Sequence, residues 1–290
     1  MEQRPYFKRI YLEITNMCNQ SCPFCPQTTR SSQFLALEDF QLILAKLQGH
    51  TKHLYFHVLG EPLLHPNLAQ FLDEAEREGY LVNLVTNGAL IGEVGIELLE
   101  KRALRQISFS LHSLAHQGER KTKERLREVL KFVDQASARS SIYFSLRLWT
   151  GGIEANQVVI EEIKEHFTLN FDLGTELQKS MGRGLTLRER VFLNPAEEFV
   201  WPSLDAPRQA GRAFCHALTQ QMAILVDGTV VPCCLDGEGV LKLGNIYEQD
   251  LGEIYFSPRA QSILQGFAQG QAVEELCQRC DYRTRFSRIP

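Results

Sequence analysis

The sequence lacks any long hydrophobic run. No stretch of about 18 apolar residues occurs in its 290 residues. The first residues, MEQRPYFKRIYLEI, contain no apolar core of the kind that precedes a signal-peptide cleavage site. Internal repeats and low-complexity segments are also missing, and the composition is that of an ordinary soluble protein. We therefore expect a cytoplasmic protein without a membrane partner.

An excess of either charge is missing as well. The 31 basic and 35 acidic residues leave a formal net charge of -4, which gives no electrostatic footprint for nucleic acid. A disulfide framework is not expected in a reducing compartment. The eight cysteines therefore indicate metal binding or catalysis.

Three cysteines lie close together near the N-terminus. Cys18, Cys22 and Cys25, called here the first cysteine group, form a C-x3-C-x2-C array just after a predicted strand at 9–15. Thiolates select zinc, copper(I) or iron-sulfur clusters, and a 4Fe-4S cluster held by three of them leaves one iron open. A Cys3His zinc site is the alternative, although the histidines that follow lack zinc-finger spacing. They are His50, His53, His57 and His65.

Short apolar strands alternate with amphipathic helices from residue 9 to about residue 173, which predicts βα units and a parallel sheet. The predicted strands are 9–15, 53–59, 81–86, 105–111, 142–149 and 168–173. Polar residues alternate with apolar ones on several strands, as Ser108 and Ser110 do with Ile107 and Phe109. We interpret the polar face as the lining of a barrel lumen. An antiparallel sheet with one wet face is the alternative.

Glycines and prolines break this rhythm from residue 174 to about residue 214, a connecting region with little predictable structure. Beyond it, MAILVDGTVVPC predicts a β-hairpin, because Asp227-Gly228 can supply two positive φ angles. Residues 250–267 are predicted to be helical, with an interruption near Pro258.

Cysteines recur in this last part of the chain. The second cysteine group, Cys215, Cys233, Cys277 and Cys280, brackets the hairpin and ends in a CxxC pair. Four such thiolates can hold a fully ligated cluster or a tetrahedral zinc. Cys234 is left over, as a buried free thiol or as a substitute for Cys233.

The first array, with Phe24 directly before its third cysteine, resembles the signature of the radical S-adenosylmethionine (SAM) superfamily. The resemblance implies a partial (β/α)6 TIM-like barrel and a 4Fe-4S cluster whose open iron is chelated by SAM. It also implies reductive cleavage of SAM to a 5'-deoxyadenosyl radical that abstracts a substrate hydrogen. The electron would come from an external donor such as flavodoxin or ferredoxin.

The second cysteine group resembles the SPASM/twitch extension of the same superfamily. The resemblance rests on C-x12-G-x4-C from Cys215 to Cys233, on LGNI at 243–246 and on the final CxxC. Full SPASM domains carry further cysteines, and here none follows Cys280. This departure implies the shorter twitch form with one auxiliary 4Fe-4S cluster, similar to aminocyclitol dehydrogenases.

The resemblance also implies individual site residues. Gly60 and Glu61 resemble the Gly-Gly-Glu-type motif that meets the SAM amino group, with Leu59 in place of the first glycine. Ser110 and Arg147 occupy strand positions at which family members contact the ribose and carboxylate of SAM.

Other assignments rest on the residues themselves. A guanidinium such as that of Arg147 suits a carboxylate, whether that of SAM or, as the alternative, that of Glu13. Asp236, three residues after Cys233, is a candidate substrate-side base. His57, His65 and His112 are either packing residues or proton carriers.

These inferences predict an α/β protein with three segments: a radical SAM core at 1–175, a linker at 176–212 and a small α+β twitch/SPASM domain at 213–290. The first functional hypothesis is oxidation of a small polar molecule with help from the auxiliary cluster. The alternatives are a maturase that modifies a peptide or protein, and an iron-sulfur electron carrier or sensor. Only eight residues precede strand one, so we expect no N-terminal peptide-recognition domain, which favours the small molecule.

Overall fold

The computed structural model describes residues 4–114, 118–149, 156–180 and 183–288. These residues pack into two compact units. The terminal unit comprises Met1–Glu61, Arg77–Leu81 and Phe199–Pro290, and the central unit comprises Pro62–Glu76 and Val82–Glu198. The predicted division near residues 175 and 212 follows the chain instead of this packing, and it stays a prediction.

Helices and strands alternate along the chain, which confirms the predicted α/β class. The helices are α1 Leu37–Lys46, α2 Leu68–Arg77, α3 Ile91–Leu98, α4 Glu119–Arg139, α5 Gln157–His166, α6 Leu173–Lys179, α7 Leu251–Tyr255, α8 Pro258–Ala268 and α9 Glu275–Gln278. The strands are β1 Arg9–Leu12, β2 His53–Phe56, β3 Leu81–Thr86, β4 Leu104–Ser110, β5 Tyr143–Trp149, β6 Leu185–Arg188, β7 Val191–Ala196, β8 Gln221–Ile224, β9 Thr229–Val231 and β10 Gly244–Asn245. None of the described helices is both long and apolar enough to cross a bilayer.

Each unit contains an open run of strands. In the terminal unit the order is β10-β9-β8-β1-β2, in which β1 is parallel to both of its neighbours and the other pairs are antiparallel. In the central unit the order is β3-β4-β5-β7-β6, and only the last pair is antiparallel. The parallel pairs include β1 with β2, and β3, β4, β5 and β7, the set that a partial (β/α)6 barrel contains.

The predicted sixth strand at 168–173 is wrong. Its last residue begins helix α6, because the Asp172 carboxylate accepts a hydrogen bond from the Thr175 N–H at 2.7 Å and caps the helix. The strand beside β5 is β7, which lies inside the region expected to have little structure. β7 pairs with β5 from Phe144 opposite Val191 to Trp149 opposite Ala196, and with β6 on its other edge.

The predicted hairpin forms from β8 and β9, but its turn differs from the prediction. Gly228 has a φ of 81°, whereas Asp227 does not have a positive φ. The Gly228 N–H donates to the Leu225 carbonyl at 2.9 Å, and the Thr229 N–H donates to the Asp227 carboxylate at 3.0 Å. A longer turn that ends on one left-handed glycine therefore replaces the predicted two-residue turn.

The alternation on the central strands separates two faces. The side chains of Ile107, Phe109 and Phe144 are fully buried on the apolar face. The polar positions are also largely covered, since Ser108 is 5% exposed and accepts a hydrogen bond from Gln106 at 2.9 Å. A hydrogen bond between neighbouring polar side chains thus satisfies this position of the polar face.

Candidate active site and metal centres

The first cysteine group lies on a loop that leaves the carboxyl end of β1. The base of the loop is closed by hydrogen bonds from Thr15 Oγ1 to the Gln33 carbonyl, at 2.9 Å, and from Asn16 Nδ2 to the Ser31 carbonyl, at 2.8 Å. Inside this closure the chain carries no helix or strand. The closed ends of the loop therefore fix the backbone segment that carries the three thiols.

The three thiols interact with one another. Burial, followed by the neighbouring Cys22 and Cys18, raises the pKa of Cys25 to about 11. Burial also raises the pKa of Cys22, with Cys18 as the second cause. A bound cation removes both penalties, because it neutralises the thiolates and shares their buried surroundings. The donor set therefore fits a thiolate-ligated metal cluster.

A buried ion pair supports the start of the same loop. The Glu13 carboxylate is 1% exposed and accepts a hydrogen bond from Arg30 Nη2 at 2.7 Å. Its two oxygens also accept hydrogen bonds from the backbone N–H groups of Leu59, at 3.3 Å, and Val226, at 3.1 Å. Glu13, the alternative partner proposed for Arg147, thus joins the cysteine loop, the segment before Gly60 and the hairpin turn.

Gly60 and Glu61 lie against this loop. Gly60 has a φ of 77°, and a Cβ at this residue would lie 2.3 Å from the Thr15 carbonyl oxygen and 2.9 Å from that of Met17. The Glu61 N–H donates to the Met17 carbonyl at 2.8 Å. Only glycine permits this approach of two backbones. Two of the predicted SAM-binding residues are thus in contact with the segment that carries the first cysteine group.

Ser110 and Arg147 are neighbours in the central unit. They are directly opposite each other on the parallel strands β4 and β5. Arg147 is in turn opposite Asn194 of β7, whose side-chain oxygen accepts a hydrogen bond from Ser145 at 2.8 Å. Sequence reasoning missed Asn194, because β7 was not recognised as a strand. The apolar run at 191–193 is too short to reveal this strand beside Pro195.

The second cysteine group converges on Cys233. Burial raises the pKa of Cys233 well above its usual value, and the charges of Cys215, Cys234, Cys277 and Cys280 raise it further. Burial also raises the pKa of Cys280 to about 11. Cys277 lies on α9, and the Cys280 N–H donates to its carbonyl at 3.4 Å. Residues from a hairpin and from the chain's last turns are thus brought to one place.

The thiols of the two cysteine groups are not arranged at metal-binding distances. None of the eight cysteines forms a disulfide. The described part of the chain contains no group of three or more His, Cys, Asp or Glu side chains already placed to hold a metal ion. Within each predicted group, neighbouring cysteines nevertheless raise one another's pKa, as Cys22 and Cys18 do for Cys25 and as Cys215, Cys277 and Cys280 do for Cys233. The chemistry of these donors fits a thiolate-ligated cluster, since binding draws flexible thiols together.

The remaining candidates have mostly structural surroundings. Asp236 is 2% exposed, and its two oxygens accept hydrogen bonds from the N–H groups of Val240 and Leu241 at 2.9 and 2.7 Å. It closes its own loop, and its role as a base stays a prediction. Cys234 packs against the apolar cluster of Leu59 and its neighbours.

The three candidate histidines have ring contacts. His65 lies 4.5 Å from the Phe71 ring and accepts a hydrogen bond from the Asn67 N–H at 3.1 Å. His112 stacks on Trp149 at 4.1 Å, and the ring of His57 lies 6.2 Å from that of Tyr11. Such contacts are typical of packing residues.

Two family models match this chain. The model described as the radical SAM superfamily matches residues 12–166, and the model SPASM, described as an iron-sulfur cluster-binding domain, matches residues 215–281. The first match covers the first cysteine group and the strands β2 to β5. The second contains the whole second cysteine group.

Curated relatives fall into different functional classes. A tungsten-containing aldehyde ferredoxin oxidoreductase cofactor-modifying protein of Pyrococcus furiosus and a PqqA peptide cyclase of Gluconobacter oxydans are each 29% identical over 112 residues. These alignments cover 37% and 38% of this chain but only 31% of each relative. An S-adenosyl-L-methionine-dependent 2-deoxy-scyllo-inosamine dehydrogenase of Niallia circulans is 21% identical over 287 residues, which are 95% of this chain and 93% of the relative.

Solved structures show the same fold. The crystal structure of BtrN in complex with AdoMet and 2-DOIA has a TM-score of 0.58 at 16% identity, over 96% of this chain and 94% of that one. The structure of Streptococcus suis SuiB bound to precursor peptide SuiA has a TM-score of 0.60 at 16% identity, over 97% of this chain and 73% of that one.

Proposed function

The chain belongs to the radical SAM superfamily, and we propose that it oxidises a small polar molecule with a second 4Fe-4S cluster as electron acceptor. It is an enzyme whose cofactors are SAM, a SAM-binding 4Fe-4S cluster and an iron-sulfur cluster in its SPASM domain. This membership rules against the alternative of an electron carrier without turnover.

The chain's own residues have separate tasks in this proposal. The first cysteine group would hold the SAM-binding cluster, and the backbone of Gly60 and Glu61 would meet the SAM amino group. Ser110 and Arg147 would orient the ribose and carboxylate from adjacent strands. When bound, the cofactors supply one-electron chemistry that removes a hydrogen atom from the substrate, while the protein supplies orientation and exclusion of water.

Cys215, Cys277 and Cys280 all raise the pKa of the buried Cys233, and this mutual influence among the four thiols of the second cysteine group is the observation that carries the proposal. If all four bind one cluster, no iron is left open for SAM or substrate. Such a cluster contributes by accepting an electron or by stabilising the fold. Oxidation of an alcohol carbon that has lost a hydrogen atom requires the loss of one more electron, which the second cluster can take, and of the hydroxyl proton, which a base or water would accept.

The lengths of the alignments favour a small substrate over a peptide. Similarity to the 2-deoxy-scyllo-inosamine dehydrogenase extends over 93% of that protein, whereas similarity to PqqA peptide cyclases extends over 31% of the Gluconobacter protein and 80% of that of Xanthomonas euvesicatoria. The alternative, modification of a peptide or protein, is supported by the peptide cyclases and by the fold shared with SuiB.

We also propose the cellular context. An external one-electron donor such as flavodoxin or ferredoxin would reduce the first cluster. We place the protein in the cytoplasm, because thiolate-held clusters persist under reducing conditions. The formal net charge of -4 favours neither a nucleic-acid nor a membrane partner.

Deuterium transfer tests the substrate class. Anaerobically reconstituted protein, reduced with dithionite, is incubated with SAM and either ring-deuterated aminocyclitols, including 2-deoxy-scyllo-inosamine, or a deuterated PqqA peptide. We expect deuterium in 5'-deoxyadenosine, and a ketone product, from a member of the first set only. Transfer from the peptide alone would refute the proposal in favour of the maturase. Protein in which alanine replaces the first cysteine group is the control that should give neither.

A further inference from the structure

Arg283 is a buried cation beside the second cysteine group. It lies on the turn Tyr282–Arg288 and is 3% exposed. Its guanidinium donates to the carbonyls of Cys277, at 3.0 Å, Gln209, at 2.6 Å, and Arg212, at 3.5 Å. All three acceptors are neutral. Burying a charge with hydrogen bonds but without a counter-charge is costly.

Other arginines near this segment have carboxylate partners. Arg279 pairs with Glu275 at 2.8 Å, and Arg259 forms a bidentate pair with Glu274 at 2.7 and 2.9 Å. Among the ion pairs of the described residues, none includes Arg283. Its positive charge is therefore available to another anion.

Members of the second cysteine group flank the contacts of this guanidinium along the chain. Arg283 follows Cys280 by three residues, and Arg212, whose carbonyl accepts from Arg283, precedes Cys215 by three residues. The carbonyl of a third member, Cys277, accepts a hydrogen bond from the same guanidinium. Arg283 thus faces the cluster site through its charge and through the backbone of a ligand.

We propose that Arg283 is the counter-ion of the anionic cluster held by the second cysteine group and that its charge raises the reduction potential of this cluster. The inference rests on the proposed function and deepens it. Four thiolates make the cluster a net anion, and reduction adds one electron and no atoms, so the reduced form is more negative. A fixed positive charge stabilises that form more. Arg283 thus acts on electron acceptance through the cluster.

Three full-length variants separate charge from structure. R283Q removes the charge but keeps N–H donors for the carbonyls, and R283K keeps the charge but loses the planar fork. R279Q is the matched control, because Arg279 also donates to a backbone carbonyl, that of Ala206, while its charge is already paired with Glu275. Redox titration followed by electron paramagnetic resonance measures the second cluster. Its signal is assigned with protein that lacks the first cysteine group.

We expect R283Q to weaken reduction of the second cluster about tenfold, which is about 59 mV toward negative potential for one electron. R283K and R279Q should remain near the wild-type value. An unchanged potential in R283Q, or equal shifts in R283Q and R283K, would overturn the proposal.

Loss of the cluster in a variant is also informative. If R283Q loses the second cluster while R283K retains it, the charge is needed to hold the anion, which supports the proposal. If both lose it, the guanidinium acts only as a clamp for the carbonyls and the proposal is wrong. Wild-type protein whose iron content is sufficient for only one cluster would refute the proposed function itself. That result is known from iron content before any Arg283 variant is made.

Discussion

Replacing Gly60 by alanine tests the contact between the segment of Gly60 and Glu61 and the loop that carries the first cysteine group. An alanine Cβ would lie 2.3 Å from the Thr15 carbonyl oxygen, so the two backbones must separate by about 1 Å to reach ordinary contact. The φ of 77° adds strain of about 1–2 kcal/mol for a residue with a Cβ. Overpacking against backbone adds about 1–3 kcal/mol.

Gly79→Ala is the matched control for this substitution. Gly79 has nearly the same φ, 79°, but a Cβ there would meet nothing within 4 Å. In urea unfolding of the apoprotein we therefore expect a loss of about 1–2 kcal/mol for G79A and of about 2–5 kcal/mol for G60A. A displacement of about 1 Å should also slow SAM cleavage about 100-fold in G60A and leave it unchanged in G79A. Equal destabilisation of both variants, with full cleavage activity in G60A, would refute the reasoning.

Three further predictions follow from the cysteines and their surroundings. Alanine at all three positions of the first cysteine group should leave about half of the iron of wild-type protein, since the other ligands do not belong to that loop; loss of all the iron would contradict independent sites. Cys277→Ala, in protein shown to be folded and to retain the first cluster, should still cleave SAM but stall product formation, and turnover at the wild-type rate would leave the second metal a structural role only. Burial raises the pKa of Glu13 even though Arg30 opposes the shift. The free energy of unfolding of wild type relative to Glu13→Gln should therefore be largest below the pKa of an exposed glutamate, about 4.3, and should fall as pH rises above it. Urea titrations from pH 4 to 8 that show the opposite slope would contradict the shift.

The fold could be predicted where local pattern is sufficient. The strands β1 to β5 follow from alternating or continuous apolar residues, because side-chain period fixes which face of a strand is buried. The strand β7 could not be found in this way, since it contains Pro195 and lies in a stretch rich in breakers. Its extended state depends on pairing with β5 and β6, partners that are distant in sequence. Residues 168–173 show the converse error. Their apolar alternation predicts a strand, whereas the Asp172 cap begins helix α6.

The sequence by itself determined the chemistry of the two cysteine groups, because metal ligands of one loop must be close in the chain and thiolates are specific in what they bind. It could not show that Asp236 uses both oxygens on its own loop, or that Asn194 continues the row of Ser110 and Arg147. Only the tertiary structure decided which charges are paired. Arg279 and Arg283 are four residues apart and alike in sequence, yet one has a carboxylate beside it and the other has buried carbonyls. The environment of a charge is made by segments that meet only after folding.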